Sequence, residues 1–199
     1  MIKCNATIVG TISRSGEVKT DKQGRSFLAF GIQTELKSKE GKSLLLDISV
    51  AMDGNDPSAL TQGTAVKLKG TLSFRKRDER VFYNLSAKEI ELNTLEEDSI
   101  SGTMSFRGTL GKKEIEEKKG KKGAYRCFDA YSSDRIDEGQ YAYIWVYFLD
   151  VSAVRPQWLQ PKASIDAEGE IDISVFNERE SIGCRITALT LWDKTSSNK

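Results

Sequence analysis

Residues 141–148 read YAYIWVYF, a run in which Tyr141, Tyr143, Trp145, Tyr147 and Phe148 are all aromatic. So many rings interleaved with Ile144 and Val146 predict a β-strand. An extended chain alternates its side chains between two faces, so this run cannot bury every ring on one side. Ile144, Val146 and Phe148 share the face that a core would claim. Tyr143, Trp145 and Tyr147 share the other, a stripe of amphipathic rings turned away from that core.

Working outward from this strand, the chain is a series of short alternating segments. Glycine- or lysine-rich turns separate them, a pattern of all-β architecture. The segments recur. A shift of about 98 residues lays Gly10-Thr11-Ile12 on Gly108-Thr109-Leu110, Phe30 on Phe128, Ile48 on Val146 and Val50 on Phe148. With one residue inserted, Pro57 falls on Pro156, Leu60 on Leu159, Val66 on Ile165, Gly70 on Gly169 and Ile90 on Leu189. This reading gives two copies of one domain, 1–95 and 100–193. The acidic stretch Leu95-Glu96-Glu97-Asp98-Ser99 links them.

Each copy divides into five predicted strands. They lie near 4–13, 25–34, 44–52, 64–75 and 81–92 in the first, and near 102–111, 124–131, 141–150, 164–176 and 182–192 in the second. Prolines that open Asp56–Leu60 and Val154–Leu159 predict a short helix between strands three and four. Long hairpin loops are expected at Ser13–Gly24 and Gly111–Gly123, and again at Arg75–Arg80 and Phe176–Ser181. Five strands with a helix between the third and fourth is the layout of the OB-fold barrel, so the expected fold is two tandem OB-fold barrels.

Composition narrows the chemistry. Thirty Lys and Arg against 29 Asp and Glu leave a formal charge of +1, so only the local distribution of charge can point to a partner. The 199 residues contain no histidine, which removes the commonest general base and a common metal ligand. No phosphate-cradling P-loop and no G-x-S-x-G elbow occur, so an enzyme is not expected, nor a cofactor or metal. Cys4, Cys127 and Cys184 form no CxxC pair and read as small buried side chains in a reducing compartment. No apolar run reaches the roughly 18 residues a membrane helix needs, and MIKCNATIVG is no signal peptide. A cytoplasmic location with no membrane partner is expected.

Three stretches resemble bacterial and phage single-stranded DNA-binding proteins. Asn5-Ala6-Thr7-Ile8-Val9-Gly10-Thr11-Ile12 resembles that family's first strand, and Phe30-Gly31-Ile32-Gln33-Thr34 its second. Gly63-Thr64-Ala65-Val66-Lys67-Leu68-Lys69-Gly70-Thr71-Leu72 resembles its fourth. Tyr143 and Trp145 fall where the family carries an aromatic on strand three. The resemblance implies sequence-tolerant binding of single-stranded DNA in replication, recombination or repair, with RNA not excluded. It also implies a homodimer of this chain that brings four barrels together. The family's glycine-rich tail with an acidic tip has no counterpart in Asp193-Lys194-Thr195-Ser196-Ser197-Asn198-Lys199, a departure that puts recruitment of repair partners in doubt and suits a phage, plasmid or mobile-element protein.

Bases stack on exposed rings while basic side chains follow the phosphates. In the second copy the expected platform is Tyr143, Trp145 and Tyr147, joined by Tyr125 from strand two. Arg107, Arg126 and the hairpin Lys118-Lys119-Gly120-Lys121-Lys122 supply charge. In the first copy Leu45, Asp47 and Ser49 make a poor platform, leaving Phe27 and Phe82 as the candidate rings. Its cations are Arg25, Lys67, Lys69, Arg75, Lys76, Arg77 and Arg80. The outward side of strand four in the second copy instead carries Asp166, Glu168, Glu170 and Asp172, which would repel phosphate or meet a basic stripe of another subunit. Trp158 and Trp192 read as packing residues. Two uses of these faces stay open beside nucleic acid: rings that cover a protein interface, which would make the chain an interaction module, and charges that are simply solvated. A carbohydrate-binding barrel would use similar rings but leaves the lysine-rich hairpins without a purpose.

Overall fold

A computed structural model describes residues 1–38, 41–120, 123–137, 140–152 and 154–193. Within these the chain is all β, with eleven strands: β1 (Ile2–Thr20), β2 (Ser26–Lys37), β3 (Ser43–Asp53), β4 (Ala65–Arg77), β5 (Arg80–Leu92), β6 (Ser99–Leu110), β7 (Glu116–Gly120), β8 (Gly123–Asp137), β9 (Gln140–Asp150), β10 (Ser164–Phe176) and β11 (Arg179–Leu191). No helix of the described residues is long and apolar enough to cross a membrane. The chain divides into two compact units. The N-terminal unit holds Cys4–Gly102 with Ile173–Glu180; the C-terminal unit holds Met1–Lys3, Thr103–Asp172 and the chain from Ser181. Leu95–Ser99 is not a loose tether: Glu96 pairs with Lys67, and Asp98 accepts the Glu35 backbone N–H at 2.7 Å.

In the N-terminal unit β1 runs antiparallel to both β2 and β4, β2 to β3, and β4 to β5, while β5 runs parallel to β3. The pairings close on themselves as a ring of five strands. Period-two burial follows from that closure, because alternate residues must point inward. Ile8, Ile12, Phe30, Ile32, Ile48 and Leu68 are fully buried inside.

In the C-terminal unit β6 pairs with β8 and β10, β8 with β9, and β9 in parallel with β11, while β10 neighbours β11. The registers repeat those of the other unit about 98 positions on. Thr11 opposite Gln33 recurs as Thr109 opposite Tyr131, and Phe30 opposite Val50 as Phe128 opposite Phe148. Close approaches repeat as well. A Cβ on Gly10 would sit 2.4 Å from the Gln33 carbonyl oxygen, and one on Gly108 would sit 2.2 Å from that of Tyr131. The C-terminal core is built on rings: Phe148 lies edge-on to Phe106 (centroids 4.9 Å apart) and stacked with Phe128 (5.5 Å).

The short helices expected at Asp56–Leu60 and Val154–Leu159 do not form among the described residues. Each segment is a single turn closed by one hydrogen bond, Leu60 N–H to the Pro57 carbonyl at 2.9 Å and Leu159 N–H to that of Pro156 at 3.0 Å. Five or six residues are too few to offset helix nucleation. Burial of Leu60 and Leu159 holds the turns instead. The expected loops at Ser13–Gly24 and Gly111–Gly123 also differ. β1 runs on to Thr20 through register shifts near Arg14, and β7 forms an exposed edge strand on β8. Backbone pairing builds both extensions with little side-chain burial, so the alternation that marks other strands is missing there.

Candidate nucleic-acid interface

β9 is positioned by β8 on one side and β11 on the other, and its register sorts the opening stretch as alternation requires. Ile144, Val146 and Phe148 are buried, while Tyr143, Trp145 and Tyr147 are 45%, 51% and 42% exposed. Tyr141 is exposed on the same side at the start of the strand. Across the ladder, Tyr131 of β8 stands opposite Trp145. Its ring meets Tyr143 edge-on at 5.5 Å with planes at 78°, and Trp145 at 5.0 Å with planes at 53°. Three rings thus brace one another at separations that favour tilted and edge-on contact. Beneath Trp145 lies Gly111, where a Cβ would come within 3.3 Å of the indole.

Tyr147 is held differently. Partial burial, first, and the neighbouring Cys127 thiol, second, push its pKa up. Asp129 is its cross-strand neighbour. This carboxylate is exposed, yet the packed neighbours strip enough water from it to raise its pKa; Lys113 opposes that shift and Glu116 adds to it. Tyr125, half-buried at the other end of β8, lies over Gly120 of β7, where a Cβ would meet its ring at 3.2 Å.

The charged candidates divide into those already paired and those open. Arg126 points inward and is 6% exposed. It donates from Nε to Asp150 at 3.0 Å, and from Nη2 to the Ser152 carbonyl and hydroxyl at 2.5 and 2.7 Å. Its expected place beside the rings is therefore corrected: it is buried and tied to Asp150 and Ser152 rather than open on the ring face. Arg107 is exposed and pairs with Asp166 at 2.7 Å. Lys118 pairs with Glu116 at 2.8 Å, while Lys121 and Lys122 lie outside the described residues. Glu168, Glu170 and Asp172 face outward on β10 as expected, and none forms an ion pair among the described residues.

In the N-terminal unit the rung equivalent to Tyr131–Trp145 is Gln33–Asp47, joined by a hydrogen bond of 2.8 Å from Gln33 Nε2. A polar pair occupies the platform's position, so no stacking stripe forms. Lys67 and Lys69 do point outward, but Glu96 holds the first and Glu89 the second, at 2.9 Å, across the ladder from β5. The open cationic stripe expected there is thus neutralised by acids that pairing brings alongside. Arg25 is likewise tied to Asp21 at 2.9 Å in the β1–β2 turn, and Phe27 is half-buried between Lys19 and Asp53. The β4–β5 hairpin differs. Arg75 stands opposite exposed Phe82 and Arg77 opposite Arg80, and none of the three arginines forms an ion pair among the described residues. Behind them Phe74 meets Tyr83 edge-on at 5.4 Å.

Sequence reasoning missed Tyr131 and Asp129. The signal was present: counting by twos along β8 from Tyr125 reaches both.

No family model and no curated protein sequence matches the chain. Among solved structures, the chain is similar to the wild-type single-stranded DNA binding protein from Thermus aquaticus, with 14% identity and TM-score 0.48 over 98% of this chain and 94% of that one. It is also similar to the small single-stranded DNA-binding protein from Streptomyces coelicolor (16% identity, TM-score 0.33), over 46% of this chain and 92% of that one. The N-terminal domain of PriB from Thermoanaerobacter tencongensis gives 22% identity and TM-score 0.30, over 44% of this chain and 94% of that one.

Proposed function

We propose that this chain is a pair of OB-type domains, copies of one repeat, that binds single-stranded DNA with little regard to sequence. The observation that carries the reading is the stripe of Tyr143, Trp145 and Tyr147, open to solvent on the wet side of a fully formed core, with half-buried Tyr131 bracing the first two. Every base offers a flat face, and stacking on such rings supplies about 1–3 kcal/mol per base without reading an edge. The arginine face of the β4–β5 hairpin, with Phe82 in its midst, suits phosphates and one further base. Strands left unpaired in replication, recombination or repair are the natural ligand, and RNA presents the same faces. A homodimer, with a mass near twice 22.2 kDa in sedimentation, completes the reading.

A titration with oligo-dT tests it. Indole fluorescence, isolated in a Trp158→Phe, Trp192→Phe background, should be quenched. The dissociation constant should rise with salt, and Trp145→Ala should weaken binding by about 1–3 kcal/mol with the fold intact. Absence of quenching and of any gel shift at low salt overturns the proposal. A protein-interaction module is the second reading, favoured by the exposed carboxylates Glu168, Glu170 and Asp172, which suit a basic protein surface and repel a phosphate chain.

A further inference from the structure

The face that carries the rings also carries one open carboxylate. Along β8, Asp129, Tyr131 and Ser133 alternate outward, and each stands opposite one ring of β9: Asp129 opposite Tyr147, Tyr131 opposite Trp145, Ser133 opposite Tyr143. Directly opposed side chains sit about 4.5–5.5 Å apart at Cβ. A base stacked at the Tyr147 position therefore lies within reach of Asp129, which can meet one of its edges. Asp129 forms no ion pair and donates or accepts no side-chain hydrogen bond among the described residues, and its side chain is exposed. The groups that face it are Lys113 from the chain leading into β7, Glu116 at the start of β7, and Tyr147 from β9. The equivalent rung in the N-terminal unit is Gly31–Ser49, with neither ring nor carboxylate.

An ionised carboxylate has two oxygens that only accept. Of the four DNA bases, guanine alone sets two donors side by side on its pairing edge, the ring N1–H and the N2 amino group. That edge matches a carboxylate in a two-pronged bond, the geometry that makes such pairs strong. Thymine sets its one ring N–H between two carbonyl acceptors, and cytosine sets its amino group beside an acceptor nitrogen. Each of these places a lone pair against the carboxylate. In a single strand the pairing edges are free to be read in this way.

We propose that Asp129 makes the Tyr147 position selective for guanine within an otherwise sequence-tolerant site. The inference rests on the stacking role proposed for that face, and its test is arranged so that the two fail separately. Oligo-dT strands of about 16 nucleotides, with guanine at regular intervals, are compared with strands in which hypoxanthine replaces guanine. Hypoxanthine stacks alike and lacks only the N2 amino group. Wild-type protein should bind the guanine strand about tenfold more tightly, the effect of one hydrogen bond to a charged acceptor. Asp129→Asn, and separately Asp129→Ala, should abolish the difference, which is read as the ratio of the two strands within each variant so that any change in binding of plain oligo-dT cancels. Equal binding of the two strands by wild type, or a difference that survives both substitutions, overturns the inference and leaves the stacking reading standing. Failure of every strand to quench Trp145 overturns both.

Discussion

Arg126 and Trp145 lie in neighbouring strands and were candidates for the same task, yet burial assigns them opposite ones. The Arg126 guanidinium is sealed against Asp150, so its removal leaves a buried carboxylate without its cation. Arg126→Met should cost about 3–5 kcal/mol of stability in urea unfolding, and Arg126→Met with Asp150→Leu should recover much of that. Both variants, where folded, should keep the oligo-dT affinity of wild type; a large loss would return Arg126 to the binding face. Asp129 makes the contrasting pH prediction. Its folded pKa is raised, first by desolvation, so the protonated form suits the folded chain better than the ionised one. The sign follows: stability from this group is present below its unfolded pKa and is lost as pH rises through its folded pKa. Asp129→Asn should therefore raise Tm slightly at neutral pH and leave it unchanged in acid, with screening by solvent keeping the gain small. Guanine selectivity should fade over the same fall in pH, since a protonated carboxyl no longer offers two acceptors.

At the scale of the element, strand parity was the legible part. The YAYIWVYF stretch sorts itself by twos, and the structure follows that sorting through all of β9. Lys67 and Lys69 show where the sequence falls silent. Their outward direction could be read from the alternation of β4, but the neutralising Glu89 comes from β5 and Glu96 from beyond it, and only the pairing register brings those acids alongside. The turns at Pro57 and Pro156 read as helices in the sequence because a proline start signal is local, whereas the buried Leu60 and Leu159 that hold the turns answer to the core. Tyr131 stood at the edge of its expected strand, where parity is easiest to drop. The β4–β5 hairpin gives this scale its prediction. Each arginine that neutralises a phosphate of a single strand contributes about 0.7 to the slope of log affinity against log salt. Replacing Arg75, Arg77 and Arg80 with alanine should flatten that slope by about 2 if all three make contact, while Trp145 quenching at saturation stays as it was. An unchanged slope would remove the hairpin from the interface.

For the molecule as a whole, thirty basic residues against 29 acidic ones mean that long-range attraction to a polyanion is weak. Four of the lysines and arginines on the strand faces are also paired: Arg107 with Asp166, Lys118 with Glu116, Lys67 with Glu96, Lys69 with Glu89. A strongly basic protein gathers a charged ligand by its field and reaches association rates of about 10⁸–10⁹ M⁻¹s⁻¹ at low salt. Here the positive field is local to the β4–β5 arginines of the N-terminal unit, while the C-terminal unit carries the acidic row Glu168, Glu170 and Asp172. Association should therefore be orientation-limited, at about 10⁵–10⁷ M⁻¹s⁻¹ and only mildly salt-dependent, with affinity residing in slow release from the rings. Stopped-flow quenching with oligo-dT separates the two rates. On this account Trp145→Ala changes the off-rate and leaves the on-rate within a few-fold, whereas the triple arginine substitution lowers the on-rate. A diffusion-limited, steeply salt-dependent on-rate that is indifferent to Arg75, Arg77 and Arg80 would mean that some other charged surface captures the strand first.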